Sequence, residues 1–383
     1  MSSPVELRHM KAAVHVDVDI QRTARVQQLE GLFAVPPSKR AELQWDVDLP
    51  LDAQPWNIGL IVGPSGSGKT TVTRALWPEY LARSYDWPAD RSVLDGFPQS
   101  MGIKEIIDLL SSVGFSSPPA WLRPYRVLST GEQFRVDMAR VLAESAFAVV
   151  DEFTSVVDRT VAQIGSAALA RTIRRSNRQF VAVTCHEDVL DWLQPDWVYR
   201  PELNEFHWRH LQRRPAIDLE IFRVHREAWQ LFRHTHYLDT SLNPSALCFV
   251  ALWRNIPVAF VAAVGFPHAV SPGYRMHRLV CLPDYQGVGI GMALCNYVSS
   301  ALVATGRAVH GVTGHPAVLG HFARSTGWKM QRTPGLNSAM SKSSRFDLRA
   351  LSKTVAIDRM TAGFRYVGPS LSRAEASRFL GNT

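Results

Sequence analysis

The segment G-P-S-G-S-G-K-T-T (Gly63, Pro64, Ser65, Gly66, Ser67, Gly68, Lys69, Thr70 and Thr71) lies between the apolar run Ile58–Val62 and a stretch compatible with a helix. Glycines let successive backbone N–H groups turn inward around a phosphate, and the following helix N-terminus adds its positive dipole end. At this spacing Lys69 is expected to bridge the β- and γ-phosphates of a nucleoside triphosphate, and the Thr70 hydroxyl to coordinate Mg²⁺. Further along, F-A-V-V-D-E ends an apolar strand on Asp151 and Glu152. The first suits a place beside the metal, and the second can polarise an attacking water as general base. A second glycine-rich loop, Q-G-V-G-I-G (Gln286, Gly287, Val288, Gly289, Ile290 and Gly291), leads from a strand into a helix; by itself it is either a simple strand-to-helix turn or a smaller cradle that offers backbone N–H groups to a phosphate.

Residues 15–205 resemble the ABC ATPase family. L-S-T-G-E-Q-F-R-V, from Leu128, is similar to the family's signature, with Thr130 and Glu132 standing where the commonest form has Gly and Gln. The resemblance implies that Ser129 and the Gly131 backbone contact the γ-phosphate held by a second subunit, so that a homodimer forms on ATP binding. It also makes Asp158 the D-loop acid and His186, after F-V-A-V-T-C, the switch histidine at the γ-phosphate. Gln99 in G-F-P-Q fits the Q-loop glutamine and, with Thr70 and Asp151, the Mg²⁺ site. The short stretch from Lys69 to Leu128 implies a reduced helical subdomain. Trp45, upstream of the loop, is either an adenine-stacking ring or a core tryptophan.

H-R-L-V-C-L-P-D-Y-Q-G-V-G-I-G-M-A-L resembles motif A of the GNAT acyltransferase family, over roughly residues 215–335. That resemblance implies acetyl-CoA as cofactor, its pyrophosphate on residues 286–291 and its pantetheine arm on the main chain of Val280 and Leu282. Many GNAT enzymes carry a tyrosine on the helix after the next strand to protonate the leaving thiolate; here Phe322 stands near that place. His315, His321, Tyr285, His277, His236 and Tyr237 are the other groups able to move a proton. The joining of the two domains is similar to arrangements in phage and mobile-element proteins whose GNAT-fold enzymes modify DNA bases.

These loops need strands that end on them. Alternation over residues 14–20 predicts a strand, and apolar β-rich runs recur at Ile58–Val62, Phe147–Val150 and 180–184 with helical stretches between them, the pattern of a parallel α/β sheet. Periodicity is lost over 200–215, which places a boundary there. Beyond it, 247–252 and 258–264 read as a hairpin across R-N-I-P, 278–282 as a third strand, and a helix opens near Ile290. The fold class is therefore α/β: a P-loop NTPase (ABC ATPase) domain over 1–209, an α+β GNAT-like domain over 210–340, and a basic C-terminal segment, 341–383, that forms closing strands or a tail.

Residues 1–209 hold 22 Lys and Arg against 26 Asp and Glu, whereas residues 210–383 hold 20 against 8. The positive excess belongs to the second half, which would attract a polyanion such as nucleic acid or a phosphorylated cofactor, or would serve only as a solvated surface. Cys185, Cys248, Cys281 and Cys295 lack metal-ligand spacing and the density of a disulfide scaffold, as expected of a cytoplasmic protein. The most apolar stretch, 246–264, is broken by Arg254, Asn255 and Pro257, so no membrane span is expected.

Overall fold

The computed structural model describes residues 9–33, 36–82, 84–176, 178–209, 216–236, 240–267, 272–336 and 360–381. They form two compact units that interleave along the chain. The first takes residues 1–86 and 140–215, and the second takes 87–139 and 216–383.

In the first unit, β1 (Met10–Asp19) and β2 (Arg40–Leu49) form a two-stranded antiparallel ribbon, with α1 (Ala24–Phe33) between them in sequence. The main sheet follows from β3 (Ile58–Val62), whose five residues are all buried, as in a parallel strand covered on both faces. After β3 comes α2 (Lys69–Leu76). The second unit then takes α3 (Ile103–Ser112), α4 (Pro118–Trp121) and the first ten residues of α5 (Thr130–Glu144). The first unit resumes with β4 (Phe147–Val150), α6 (Arg159–Arg175), β5 (Gln179–Thr184), α7 (Val189–Leu193), β6 (Trp197–Arg200) and β7 (Glu205–Trp208). Its sheet runs β4-β5-β3-β6-β7, parallel except for β7. Trp56, Trp77, Phe147 and Trp197 meet edge-on or tilted at its core, and a Cβ on Gly59 would collide with the Trp197 ring. The stretch 200–215, read as aperiodic, thus contains β7, whose alternation of exposed Glu205 and His207 with half-buried Phe206 and Trp208 is too short to register as a period.

The second unit holds a seven-stranded sheet made of β8 (Glu220–Val224), β9 (Leu247–Trp253), β10 (Ile256–Phe266), β11 (Gly273–Cys281), β12 (Ala308–Thr313), β13 (Trp328–Leu336) and β14 (Met360–Tyr366). The order is β13-β14-β12-β11-β10-β9-β8, antiparallel except for β11 with β12. α8 (Ile290–Val303) and α9 (Pro316–Arg324) lie on either side of β12 in sequence. The β9–β10 turn is only Arg254-Asn255, both at positive φ (52° and 63°), the geometry a two-residue hairpin requires. Ile256 and Pro257 belong to the strand instead, and the register slips just after Pro257, where a ladder donor is missing. Of the C-terminal segment, residues 360–366 are a closing strand between β12 and β13, and a helix over Arg373–Leu380 follows, capped reciprocally by Ser372 and Glu375.

No helix among the described residues is long and apolar enough to cross a membrane.

Candidate functional site

The first cradle is built where β3 stops. Gly66 and Gly68 take positive φ (83° and 86°), Gly68 caps α2, and α2 begins on Lys69. The buried Lys69 ammonium donates to the carbonyls of Gly63 (2.9 Å) and Pro64 (2.7 Å), which closes the loop. Trp45 of β2 lies against Gly68 so closely that a Cβ there would strike its indole. The ring packs on the loop itself, a position from which both readings of Trp45 follow. Ser67 Oγ is buried in the loop without a hydrogen-bond partner among the described residues.

Parallel register gathers the other groups of this unit. Val62 is level with Thr184 and Val150 with Ala182, so the chain following β3, β4 and β5 leaves one edge of the sheet. Asp151 and Glu152 follow β4, and His186 follows β5. Asp151 Oδ1 accepts from the Glu152 N–H at 2.9 Å, and Glu152, at φ 53°, accepts from the Ser155 hydroxyl at 2.6 Å. Asp158 Oδ1 receives the N–H groups of Thr160 (2.9 Å) and Val161 (3.1 Å), making it the N-cap of α6. The His186 N–H donates to Thr184 Oγ1 (3.2 Å). An unpartnered buried hydroxyl in a glycine-rich loop, with Thr70 on the first helical turn and two carboxylates at the end of β4, one strand beyond β5, is a donor set that fits a triphosphate with Mg²⁺.

Gln99, Ser129 and Gly131 belong to the second unit. Gln99 is exposed in the turn after Pro98. Ser129 caps α5: Ser129 Oγ accepts from the Glu132 N–H (3.3 Å) while the Glu132 carboxylate accepts from the Ser129 N–H (2.9 Å). Glu132, which departs from the usual signature, therefore completes a capping box, and the spacing S-x-x-E was the sequence signal for it.

The second cradle lies where β11 gives way to α8. Gly287 and Gly289 have φ of 87° and 92°, and Gly289 caps α8. A Cβ on Gly291 would lie 3.5 Å from that of Cys281, so helix and strand meet closely here. β11 pairs with β12 only from Gly273 to Arg275 and then diverges, leaving the later residues of β11 with an edge unpaired by β12. Phase decides which main-chain groups face that edge. The Leu282 N–H donates to Val258 O (2.9 Å) and its carbonyl accepts from the Tyr285 N–H (3.0 Å). In an antiparallel ladder these groups alternate sides, so Val280 also points its own at β10, and those of Leu279 and Cys281 face the divergence. The main chain of Val280 and Leu282, expected along the pantetheine arm, thus faces β10 and the turn after β11.

Gln286 is tied into this turn by its side chain. Its carboxamide Nε2 donates to Cys281 O (3.0 Å), and its Oε1 accepts from the Ser116 N–H (3.0 Å), so it organises the turn from within.

Among the proton-transfer groups, Phe322 is buried and stacked on Trp328 at 4.0 Å, as a core residue. His315 Nε2 meets the Ser116 carbonyl at 2.9 Å, and burial pushes its pKa below the ordinary value. His321 is also lowered, by burial and then by Arg324, and its Nε2 has no partner among the described residues. His277 Nε2 accepts from the Asn243 N–H (3.4 Å), His236 and Tyr285 meet the edges of Trp229 and Trp253, and Tyr237 lies outside the described residues.

The sheet order, the divergence of β11 from β12 and the glycine-capped α8 come with a sequence match. Residues 187–312 match the model of the acetyltransferase (GNAT) family. The match begins within the first unit, whose sheet claims β6 and β7, and stops before β13 and β14. The seven-stranded sheet of the second unit starts at β8. In fold comparisons, the dimeric structure of a bacterial ABC transporter cassette aligns at 16% identity over 42% of this chain and 89% of its own, with a TM-score of 0.35. A Clostridium perfringens component of the ABC transporter complex cbiONQ aligns at 16% identity over 43% and 78%, with a TM-score of 0.33. No curated protein matches the chain.

Proposed function

We propose that this protein is an ABC-type ATPase joined to a GNAT-type acyltransferase that draws its acyl group from acetyl-CoA and delivers it to nucleic acid. The observation that carries this reading is a repeated construction: in each unit a strand is followed by a glycine-rich loop that closes on a left-handed glycine capping a helix, Gly68 before α2 and Gly289 before α8. Each would present backbone amides to a phosphate.

In the first site Lys69 would leave the loop carbonyls to neutralise charge between the β- and γ-phosphates. Thr70 and Asp151 would hold Mg²⁺ there, and Mg²⁺ would further neutralise the charge that develops on phosphoryl transfer. Glu152 would orient and deprotonate water, His186 would touch the γ-phosphate, and Ser129 and Gly131 would complete the site of a second copy. In the other site, residues 287–291 would take the pyrophosphate of acetyl-CoA, and the edge of Leu279 and Cys281 would align its arm.

The acceptor assignment rests on charge and lining. The second half carries 20 Lys and Arg against 8 Asp and Glu. A groove of about 580 Å³ in the second unit is lined by Arg226 and Arg233, two guanidinium groups suited to phosphate, together with His225 and Glu227. Four cysteines without disulfides accord with a reducing, cytoplasmic setting.

The test is transfer of label from radioactive acetyl-CoA, with and without ATP, to DNA, RNA, protein and small amines. Stable label on DNA or RNA is expected, with binding that weakens by decades between low and near-physiological salt. Label confined to protein or amines would overturn the acceptor. A second reading, an ATPase whose partner domain binds acetyl-CoA without reacting, is favoured by one observation: Phe322, in place of a tyrosine, is locked into the core against Trp328. Under it acetyl-CoA binds and no acceptor is labelled.

A further inference from the structure

Within the second unit, the helical stretch that ends on Ser129 and Gly131 is bonded to the very turn that opens α8. Gln286, the first residue of that turn's motif, accepts from the Ser116 N–H at 3.0 Å. Two residues before it, the Asp284 carbonyl accepts from Arg135 Nη2 at 3.0 Å, and the Asp284 carboxylate stands 3.8 Å from Arg135 Nη1. The Ser116 carbonyl meets His315 Nε2 at the start of α9. Backbone also approaches backbone: at Gly114, φ 91°, a Cβ would stand 2.8 Å from Gln286 O.

Arg135 is 1% exposed, and burying a guanidinium is costly unless it is paired and hydrogen-bonded, as Asp284 provides here through its carbonyl and carboxylate. It lies on α5 six residues after Ser129, roughly 9 Å along the helix axis at 1.5 Å per residue. A helix is stiff over that length, so a displacement at its capped first turn carries Arg135, and the hydrogen-bonded Asp284 and Gln286, with it.

We propose that acyl-CoA affinity in this protein depends on the nucleotide state of the ATPase site, through the contacts of Ser116 and Arg135 with the turn 284–289. The inference rests on the reading that the chain binds both ATP and acetyl-CoA. When ATP engages Ser129 and Gly131, α5 and the 114–116 loop take a different stance, and the turn that feeds Gly287 and Gly289 follows. Because coupling between sites is reciprocal, acetyl-CoA must alter ATP affinity by the same factor.

The experiment uses the full chain carrying Glu152→Gln, which holds ATP unhydrolysed. Calorimetry measures the Kd of acetyl-CoA without nucleotide and with saturating ATP and Mg²⁺, then the Kd of ATP with and without acetyl-CoA. A change of about fivefold or more is expected in the first pair, matched in size and direction by the second. Adding Arg135→Met, which keeps side-chain volume and removes the bonds to Asp284, should bring both factors close to one while each ligand still binds alone. Where that variant does not fold, the two factors in the Glu152→Gln chain decide by themselves. Equal acetyl-CoA affinity with and without ATP, in protein that binds both, overturns the coupling and leaves the two-site reading standing. Unchanged factors in a folded Arg135→Met chain overturn the route through α5. No acetyl-CoA binding in either state removes the coupling together with the reading beneath it.

Discussion

Lys69 and Glu152 are held by their neighbours before any ligand is considered, Lys69 by two loop carbonyls and Glu152 by the Ser155 hydroxyl. Removing the ammonium should therefore leave the loop closed less firmly and the phosphates without a counter-charge. Lys69→Ala is expected to reduce Mg²⁺-dependent ATP hydrolysis to background in a phosphate-release assay. Glu152→Gln should slow it by about 10²–10⁴-fold, the range for loss of a general base, while ATP still binds. Full turnover in both variants would remove the site assignment. The residues of this cradle were legible because glycine, lysine and threonine at fixed spacing satisfy a backbone demand that few other side chains meet. The direction of the main-chain groups at Val280 and Leu282 was not legible in the same way. Which edge a residue's main chain faces is set by the partner strand, and only the bond from Leu282 to Val258 fixes that phase.

At the scale of elements, strands with buried apolar runs, β3, β4, β9 and β10, announced themselves, whereas β8, with its exposed Glu220, Phe222 and Arg223, did not. Nor could sequence show that α3, α4 and the start of α5 belong to the second unit. The bonds that decide it join residues far apart in the chain, such as Ser116 with Gln286 and Arg135 with Asp284. One of these joints should be sensitive to acid. His315, at the N-terminus of α9, is held to the Ser116 carbonyl, and burial lowers its pKa from the ordinary 6.5. A depressed histidine pKa means that the unfolded chain binds the proton first, so stability contributed here is full above pH 6.5 and declines as pH falls below it. His321 acts in the same sense. Thermal melts of the full chain between about pH 7.5 and pH 5.5 should show a loss that is smaller in His315→Gln, which can still donate to Ser116 but does not titrate. Identical pH dependence in both proteins would show that His315 binds its proton equally in the folded and unfolded chain and contributes nothing to the acid loss.

For the whole molecule, the P-loop and the signature serine fall in different compact units of one chain, and the chain's charge is just as unevenly divided. The proposed ATP-bound homodimer would bring Ser129 and Gly131 of one copy to Lys69 of the other. Glu152→Gln with saturating ATP and Mg²⁺ should sediment as a dimer at micromolar protein, and Lys69→Ala as a monomer; a monomeric Glu152→Gln chain would end that proposal. The divergence of β11 from β12 carries a consequence of its own for solvent. Beyond Arg275 the two strands no longer share a ladder, while β10 still binds the other edge of β11. Adjacent amides along one short strand should thus exchange their hydrogens for deuterium at unlike rates: Val280 and Leu282 slowly, Leu279 and Cys281 fast. Acetyl-CoA lying along that edge would slow only the second pair, so occupancy of the cleft can be read from its own backbone, with no acceptor identified and no turnover required.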